Sequence, residues 1–283
     1  MEYWHLKEEP FENVLDGRFL YISSDHEEAL ARLTYAVKGE KGGAVLTGVN
    51  GSGKSAIRAE LARQMNESGD YRLISIMHPT MTDIELFEEC LFQLESIEVP
   101  PKKTLLLHRL GSKLLEIKKE GKHTVIMIDD AHLMDVETLE ELRLLSNERD
   151  DSGCQLFTLI LIGETELGSK LENVPALSCR LPMRWELKLL SREETEEYIM
   201  HRLGVAGSEE NLFMPKAMEE IYNNFPGNAL EINNVCDLAL LLAFKKKLAR
   251  VDAETIREVI SDLNGKSVRE PEINLTNHNV FNN

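Results

Sequence analysis

The chain has 283 residues, of which 42% are hydrophobic and 29% are charged, a composition typical of a globular protein with a substantial core. Its formal net charge of −17 disfavours loose electrostatic binding to nucleic acid or to anionic lipid. No apolar run approaches the roughly 18 residues that a transmembrane helix needs. The acidic N-terminus does not resemble a signal peptide, and four widely spaced cysteines indicate reduced thiols, so we expect a cytoplasmic protein.

Strand and helix patterns alternate through the first two thirds of the sequence. Apolar periodicity predicts helices at residues 26–37, 56–65, 82–96, 105–119 and 135–147. Short apolar runs rich in β-branched residues predict strands at 43–47, 72–77, 123–128, 155–162 and 184–189. Strands separated by helices are typical of βαβ units, so the pattern predicts an α/β fold with a parallel sheet.

From residue 191 onward the pattern is entirely helical. Helices are predicted at 191–203, 215–224, 229–248 and 252–263, and the first opens on a capping box of Ser191 and Glu194. We therefore expect a sheet domain over residues 1–190 and a smaller all-helical domain over 191–265. The polar, Asn-rich segment 266–283 is expected to be a disordered tail.

The segment 48–55 fits the pattern G-x-x-x-x-G-K-[ST] without a mismatch, and we call it the P-loop. A predicted strand precedes it and a predicted helix follows it, as a phosphate cradle of backbone N–H groups requires. Lys54 would contact the β- and γ-phosphates of a nucleotide, and the hydroxyl of Ser55 would bind Mg²⁺. The expected nucleotide-binding residues are Gly48, Asn50, Gly51, Ser52, Gly53, Lys54, Ser55 and Ala56.

Two acids follow the predicted strand at 123–128, at the sheet edge where ligands of parallel sheets bind. Asp129 is expected to hold Mg²⁺, either directly or through water, and Asp130 is expected to act as base or to orient the attacking water of an ATPase. Glu usually stands at the position of Asp130, and a misplacement of about 1 Å can cost roughly a hundredfold in rate. Slow hydrolysis is therefore expected. The alternative is that both acids are simply solvated residues at a strand end.

Several segments, in collinear order over residues 1–262, resemble one family of ATPases. They are Pro10–Phe11, 18–21 (RFLY), 26–30 (HEEAL), 42–48 (GGAVLTG), 128–132 (IDDAH), 142–147 (LRLLSN), 161–163 (LIG) and 231–240 (EINNVCDLAL). The chain resembles the AAA+ ATPases of the general secretion pathway protein A type, also called ExeA-like. At 129–132 that family more often has Asp-Glu-Ala-Gln.

The resemblance implies a RecA-like P-loop sheet domain with a helical lid, ATP and Mg²⁺ at their junction, and neighbouring copies in a ring or filament. It implies that Arg180 is offered to the γ-phosphate of a neighbour, a contact that can contribute about 10³–10⁵ in rate. A surface salt bridge is the alternative for Arg180. The resemblance also places Tyr21 or Ile22 against the adenine base, with burial of Tyr21 in the core as an equal alternative.

Two further positions, besides Asp130, depart from the family pattern. Glu164 stands at a catalytic sensor position that is often Gln, and Leu230 stands where the lid commonly has Arg. An acid near the γ-phosphate and a missing arginine both weaken charge stabilisation of the transition state. Nucleotide binding is therefore expected to survive these departures better than turnover does.

Three functions are compatible with these observations. The first is a cytoplasmic, oligomerisation-dependent ATPase that drives or licenses assembly of a partner machine, such as a secretion or envelope system. The second is a nucleotide-switched, DNA-associated regulator similar to ATPases that select transposon target sites. The acidic net charge disfavours it, although residues 245–247 and Arg250 form a basic patch. The third is a non-hydrolysing, nucleotide-dependent scaffold.

Overall fold

The protein, seen in a computed structural model that describes residues 2–14, 16–95 and 102–265, contains a five-stranded parallel sheet. The strands are β1 (Gly43–Gly48), β2 (Tyr71–Ile76), β3 (His123–Ile128), β4 (Phe157–Gly163) and β5 (Met183–Leu187). Their order across the sheet is β2-β3-β4-β1-β5, and every neighbouring pair is parallel. All five carboxyl ends therefore meet at one edge, and the predicted α/β fold is confirmed.

Helices connect the strands and continue beyond them. They are α1 (Ser24–Lys38), α2 (Lys54–Ser68), α3 (Asp83–Glu95), α4 (Lys103–Lys119), α5 (Val136–Leu145), α6 (Glu166–Glu172), α7 (Pro175–Ser178), α8 (Arg192–Val205), α9 (Pro215–Asn224), α10 (Ala229–Lys245) and α11 (Ala253–Leu263). The predicted elements are present with shifted ends. The sequence pattern does not predict α6 and α7, because helices of seven and four residues are too short to show a periodicity. Residue 96 and the tail 266–283 lie outside the described residues.

The sheet is covered on both faces. Strands β3 and β4 are buried along their whole length, which explains their continuous apolar sequences. On one face, residues such as Ile126 and Leu159 pack with α3, α4 and α5. On the other face, residues such as Val125 and Ile160 pack with α1 and α2. This arrangement fixes the loops at the carboxyl edge of the sheet on a rigid support.

Helices α8 to α11, the helical region, form a hydrophobic cluster of their own. That cluster also takes in Trp4, Leu6, Phe11 and Phe19 from the N-terminal segment, a contact that the sequence pattern does not predict. The capping box at the start of α8 is present, with both reciprocal hydrogen bonds. The division into domains at residue 190 stays a prediction. Of the helices that the structure describes, none combines the length and apolar character needed to cross a bilayer.

Candidate functional site

The P-loop, between β1 and α2, requires glycine at two positions. Gly51 and Gly53 have φ angles of 80° and 93°, which only glycine adopts readily. A Cβ atom at Gly53 would lie 2.3 Å from Nε2 of His26, and one at Gly51 would lie 1.8 Å from Oδ1 of Asn228. The loop therefore has the conformation of a backbone cradle, and it is enclosed by side chains from two other elements.

The donors around the P-loop suit the phosphates of a nucleotide. Lys54 is nearly buried, and its Nζ donates to the carbonyl oxygens of Gly48 and Val49, both at 2.9 Å. The hydroxyl of Ser52 is buried and has no hydrogen-bond partner within the described part of the chain. Ser55 is exposed in the first turn of α2, where unpaired N–H groups face a ligand. An ammonium group, hydroxyls and backbone amides form a donor set that fits a triphosphate.

The acids predicted for the site lie together at the ends of two adjacent strands. Asp129 and Asp130 follow β3, and Glu164 follows β4. Burial lowers the pKa of Lys54, whereas the charges of Glu164, Asp129 and Asp130 oppose that shift. The main-chain N–H of Glu164 donates to Nδ1 of His132 at 3.2 Å, so the two acid-bearing loops are joined. The structure thus brings Lys54 and the three acids to one edge of the sheet.

The twin aspartates have different surroundings. Asp129 is 8% exposed, its Oδ1 accepts the N–H of Asp130 at 3.0 Å, and its Oδ2 lies 2.9 Å from Nε of Arg58. Asp130 is exposed and has a φ of 48°, an uncommon backbone conformation that aspartate tolerates better than most residues. The oxygens of Asp129 and Ser55 are of the kind that Mg²⁺ prefers. Residues 2–14, 16–95 and 102–265 contain no cage of three metal-ligating side chains. The Mg²⁺ site at Ser55 and Asp129 stays a prediction.

A cavity of about 610 Å³ lies beside the P-loop. Segment 50–56 lines one side, and the N-terminal segment and the helical region line the other, with Leu20, Leu190 and Tyr198 among the apolar groups. Ligand pockets typically have volumes of roughly 300–1,000 Å³, with apolar walls and a few polar groups. The cavity therefore has the size and the position for the nucleoside part of a nucleotide whose phosphates occupy the loop.

Tyr21 lines this cavity and also packs against α8. Its hydroxyl donates to Glu197 at 2.6 Å, and its ring makes an edge contact with Tyr198 at 6.0 Å between centroids. Burial raises the pKa of the Tyr21 hydroxyl, and the hydrogen bond to Glu197 adds to the shift. Tyr21 can therefore pack against α8 and still contact an adenine base in the cavity. The base contact stays a prediction.

His26 supports the P-loop from α1, and nothing in the local sequence pattern predicts this role. Its Nε2 lies 3.1 Å from the carbonyl oxygen of Ser52, and its Nδ1 lies 2.6 Å from Oγ of Ser23. A carbonyl oxygen only accepts, so Nε2 carries the proton. Burial lowers the pKa of His26, which favours this neutral tautomer. The bond joins residues that are 26 positions apart, and only the fold brings them together.

The helical region contacts the P-loop directly. Nδ2 of Asn228 donates to the carbonyl oxygen of Asn50 at 3.2 Å, and the N–H of Ala229 donates to the carbonyl oxygen of Gly51 at 3.0 Å. Asn228 also caps α10. Leu230 lines the cavity one residue later. An amide and a backbone N–H therefore connect the helical region to the loop, close to the position where the family commonly has an arginine.

Arg180 lies at the opposite edge of the sheet. Its guanidinium donates to the carbonyl oxygen of Arg143, to Oγ of Ser146 and to Oδ1 of Asn147, at the end of α5. These acceptors are uncharged, so within the described residues Arg180 does not form the surface salt bridge considered above. A Cβ at Gly42, just before β1, would lie 2.4 Å from the carbonyl oxygen of Arg180. The P-loop follows the other end of this six-residue strand, about 20 Å away.

Comparisons with known sequences agree with this geometry. Residues 37–171 match the AAA domain family. The chain is 31% identical over 251 residues to general secretion pathway protein A of Aeromonas hydrophila. This match covers 87% of the chain but 45% of the relative, so the chain spans less than half of that protein's length.

Solved structures share the fold at low sequence identity. The ORC2 protein of Aeropyrum pernix, in its ADPNP–ADP complexes, is 14% identical with a TM-score of 0.68, covering 90% of this chain and 72% of that one. Drosophila ORC bound to DNA is 17% identical with a TM-score of 0.69, covering 93% and 66%. The Thermotoga maritima RuvB branch migration motor is 18% identical with a TM-score of 0.57, covering 87% and 74%. These likenesses show a common fold.

Proposed function

The chain belongs to the ExeA-like AAA+ ATPases, and from this premise we propose that it binds ATP and hydrolyses it slowly within an oligomer that drives or licenses a partner machine. The observation that carries the proposal is the grouping of Lys54 with Asp129, Asp130 and Glu164 at one sheet edge, beside a cavity of nucleoside size. Hydrolysis needs a phosphate cradle and acids at the same place, and this edge offers both.

Each residue at this edge has a role that its position supports. The loop amides and Lys54 would bind the phosphates, and Tyr21 would border the base. Mg²⁺, held by Ser55 and phosphate oxygens and by Asp129 through a water molecule, would supply positive charge to the transferred group. Exposed Asp130 would orient the attacking water. Its short side chain favours slow turnover.

Arg180 would act on the nucleotide of a neighbouring copy. It lies about one strand length from the P-loop of its own chain, so it cannot reach the phosphates there. A ring or filament that brings the amino edge of one sheet to the carboxyl edge of the next would close this distance. This geometry supports self-association as a condition for turnover.

Phosphate release measured over a range of protein concentrations tests the proposal. We expect turnover per subunit to rise with concentration, Lys54→Ala to lose ATP binding, and Arg180→Ala to keep ATP binding while losing turnover. Arg184→Ala is the matched control, because Arg184 is exposed near the same edge and binds the carbonyl oxygen and hydroxyl of Ser178. Turnover per subunit that is independent of concentration would contradict assembly. ATP binding by Lys54→Ala as tight as that of the wild type would contradict the site.

The partner machine is proposed by analogy with the relative, whose name places it in a secretion pathway. A secretion or envelope assembly, or a mobile-element system, is therefore the class of partner proposed, with the chain acting in the cytoplasm. The wide spacing of the four cysteines in the sequence supports a reducing compartment. ATP-dependent co-purification of the chain with the envelope fraction, lost in Lys54→Ala, would test this assignment.

A DNA-associated regulator is the second candidate, and the basic patch at the end of α10 favours it. Lys246 is paired with Glu258 at 2.6 Å, and Arg250 donates to the carbonyl oxygen of Phe213. Lys245 and Lys247 are available to contact DNA phosphates, since neither has an ion pair within the described residues. Retardation of duplex DNA with ATP, weakening steeply as salt rises and lost in a Lys245→Glu/Lys247→Glu variant, would favour this candidate.

A non-hydrolysing scaffold is the third candidate, and it applies if the chain binds ATP but does not hydrolyse it. Leu230 in the cavity and Glu164 close to Lys54 support it, because both lower the positive charge available to a transition state. The phosphate-release experiment separates the two outcomes. Wild-type release at high concentration no greater than that of Lys54→Ala, with ATP still bound by the wild type, would favour the scaffold.

A further inference from the structure

Arg58 is a nearly buried arginine beside the P-loop. It lies on α2, four residues after Lys54, and therefore on the same face of the helix. Its Nε lies 2.9 Å from Oδ2 of Asp129, and the two side chains are only 12% and 10% exposed. The contact is an ion pair, and its geometry does not meet the criteria for a hydrogen bond. At this separation and burial, the attraction is only weakly screened by solvent.

The contact with Arg58 leaves Asp129 with both oxygens engaged. Oδ2 faces the guanidinium, and Oδ1 accepts the N–H of Asp130 at 3.0 Å. A cation that binds Asp129 directly must therefore compete with a buried positive group. Separating a buried ion pair is unfavourable, because it leaves an uncompensated charge. Arg58 thus opposes direct binding of a metal to the carboxylate that the sequence pattern assigns to Mg²⁺.

The balance of fixed charges points in the same direction. Glu164, Asp129 and Asp130 all act electrostatically on Lys54. Without Arg58, three carboxylates would face a single ammonium group, and the phosphates of a nucleotide would add more negative charge. With Arg58, the most buried of these carboxylates is already neutralised. A divalent cation is then not required to offset Asp129 when a nucleotide binds.

We propose that Arg58 is a built-in counter-ion of Asp129 that makes nucleotide binding nearly independent of divalent metal. The inference rests on the proposed nucleotide site. Arg58 is a positioning residue, because it acts through Asp129 rather than on the phosphates. Removing Arg58 makes metal and nucleotide binding strongly cooperative, since the metal then performs the neutralisation that the guanidinium performs in the wild type.

Calorimetric titration of ADP into the full chain, once in excess EDTA and once in excess Mg²⁺, measures this dependence. For the wild type the two affinities should agree within about threefold. In Arg58→Gln the metal-free affinity should fall at least about tenfold, and Mg²⁺ should restore most of it. Arg109→Gln is the matched control and should behave as the wild type, because it breaks the more exposed pair of Arg109 with Glu95 on the opposite face of the sheet.

The double variant Arg58→Gln/Asp129→Asn shows whether Arg58 acts through Asp129 or directly on the phosphates. It also provides the test if circular dichroism reveals that the single variant does not fold. With neither charge present, ADP should bind without metal within about threefold of the wild type. Metal-free binding that is at least about tenfold weaker than wild type in the double variant would show that Arg58 acts on the phosphates, and the inference would be wrong. Equal metal dependence in the wild type and in Arg58→Gln, or a strong dependence in the wild type, would also overturn it. A wild type that binds ADP in neither buffer would instead refute the proposed nucleotide site.

Discussion

The two edges of the parallel sheet carry different parts of the proposed chemistry. The carboxyl edge holds the P-loop and three acids, joined by contacts among β1, β3 and β4. The amino edge holds Arg180, bound to oxygens at the end of α5 and close to the start of β1. A strand of about 20 Å separates the two edges. In the proposed function, the nucleotide site of one chain would be completed by the opposite edge of another copy.

The largest expected effect comes from mixing two inactive variants. Lys54→Ala lacks the carboxyl-edge group and Arg180→Ala lacks the amino-edge group, so each alone should lose about 10³ in turnover. A mixture of the two variants should turn over ATP well above the rate of either variant alone. At some interfaces, the intact carboxyl edge of an Arg180→Ala subunit then meets the intact amino edge of a Lys54→Ala subunit. Phosphate release from the mixture measures this. No recovery, with both variants folded and able to associate, would show that both residues act within one chain.

A buried histidine at the amino edge gives that edge its own pH dependence. His123 begins β3, its Nε2 lies 2.9 Å from Oγ1 of Thr158, and burial lowers its pKa to about 4. In the unfolded chain the pKa is about 6.5, so below that pH the unfolded state binds more protons. The contribution of neutral His123 to the free energy of unfolding is therefore fully present above about pH 6.5. It is lost as the pH falls towards 4, by up to about 3 kcal/mol.

Urea unfolding at several pH values checks this dependence. His123→Gln should remove the extra loss of stability at acidic pH, because glutamine does not titrate. His108→Gln is the control, since His108 is exposed and should leave the dependence unchanged. If the His123→Gln curve parallels the wild type between pH 7 and 4, the pKa of the buried ring is not depressed and His123 does not contribute to the pH profile.

At the carboxyl edge, a buried histidine should affect ligand binding. His26→Ala removes the donor to the carbonyl oxygen of Ser52, which leaves a buried acceptor unpaired in the P-loop. We expect about tenfold weaker ADP binding, measured by calorimetry at pH 7.5. His26→Gln, which can still donate, should recover much of the affinity. Equal affinity in His26→Ala and wild type would mean that the loop holds its conformation without this bond.

The smallest expected effect concerns release of Arg180. Asn147→Ala removes one of the three hydrogen bonds that hold the guanidinium against α5. If a neighbour's phosphate must draw Arg180 away from these bonds, the variant should turn over ATP about threefold faster at low protein concentration. Slower turnover would indicate that Asn147 instead holds Arg180 in its working position.

The parts of the site that are local in sequence can be predicted from it. The P-loop and the two acids after β3 follow from residue spacing and from the apolar strands that precede them. The support of the loop by His26 and Asn228 and the contact of Arg58 with Asp129 cannot, because these contacts depend on how α1, α2 and α10 pack against distant segments. The place of Arg180 depends on strand order, which the sequence pattern does not specify.

The N-terminal segment gives the clearest example of a nonlocal contact. Its apolar residues, such as Trp4 and Phe11, join the core of the helical region more than 180 residues away in sequence. Arg202 of α8 holds this segment by donating to the carbonyl oxygens of Pro10 and Glu12, the first at 2.5 Å and the second at 2.7 Å. No short-range pattern indicates such a contact, and it forms one wall of the cavity beside the P-loop.

One titration tests most directly whether the carboxyl edge binds a nucleotide. ATP is added to the wild type and to Lys54→Ala in a calorimeter with excess Mg²⁺, under conditions where both proteins are folded. A single saturable site in the wild type, weakened at least about a hundredfold in Lys54→Ala, is the predicted result, because the loop loses its buried ammonium group. No heat of binding in the wild type, or equal affinity in both proteins, would contradict the site.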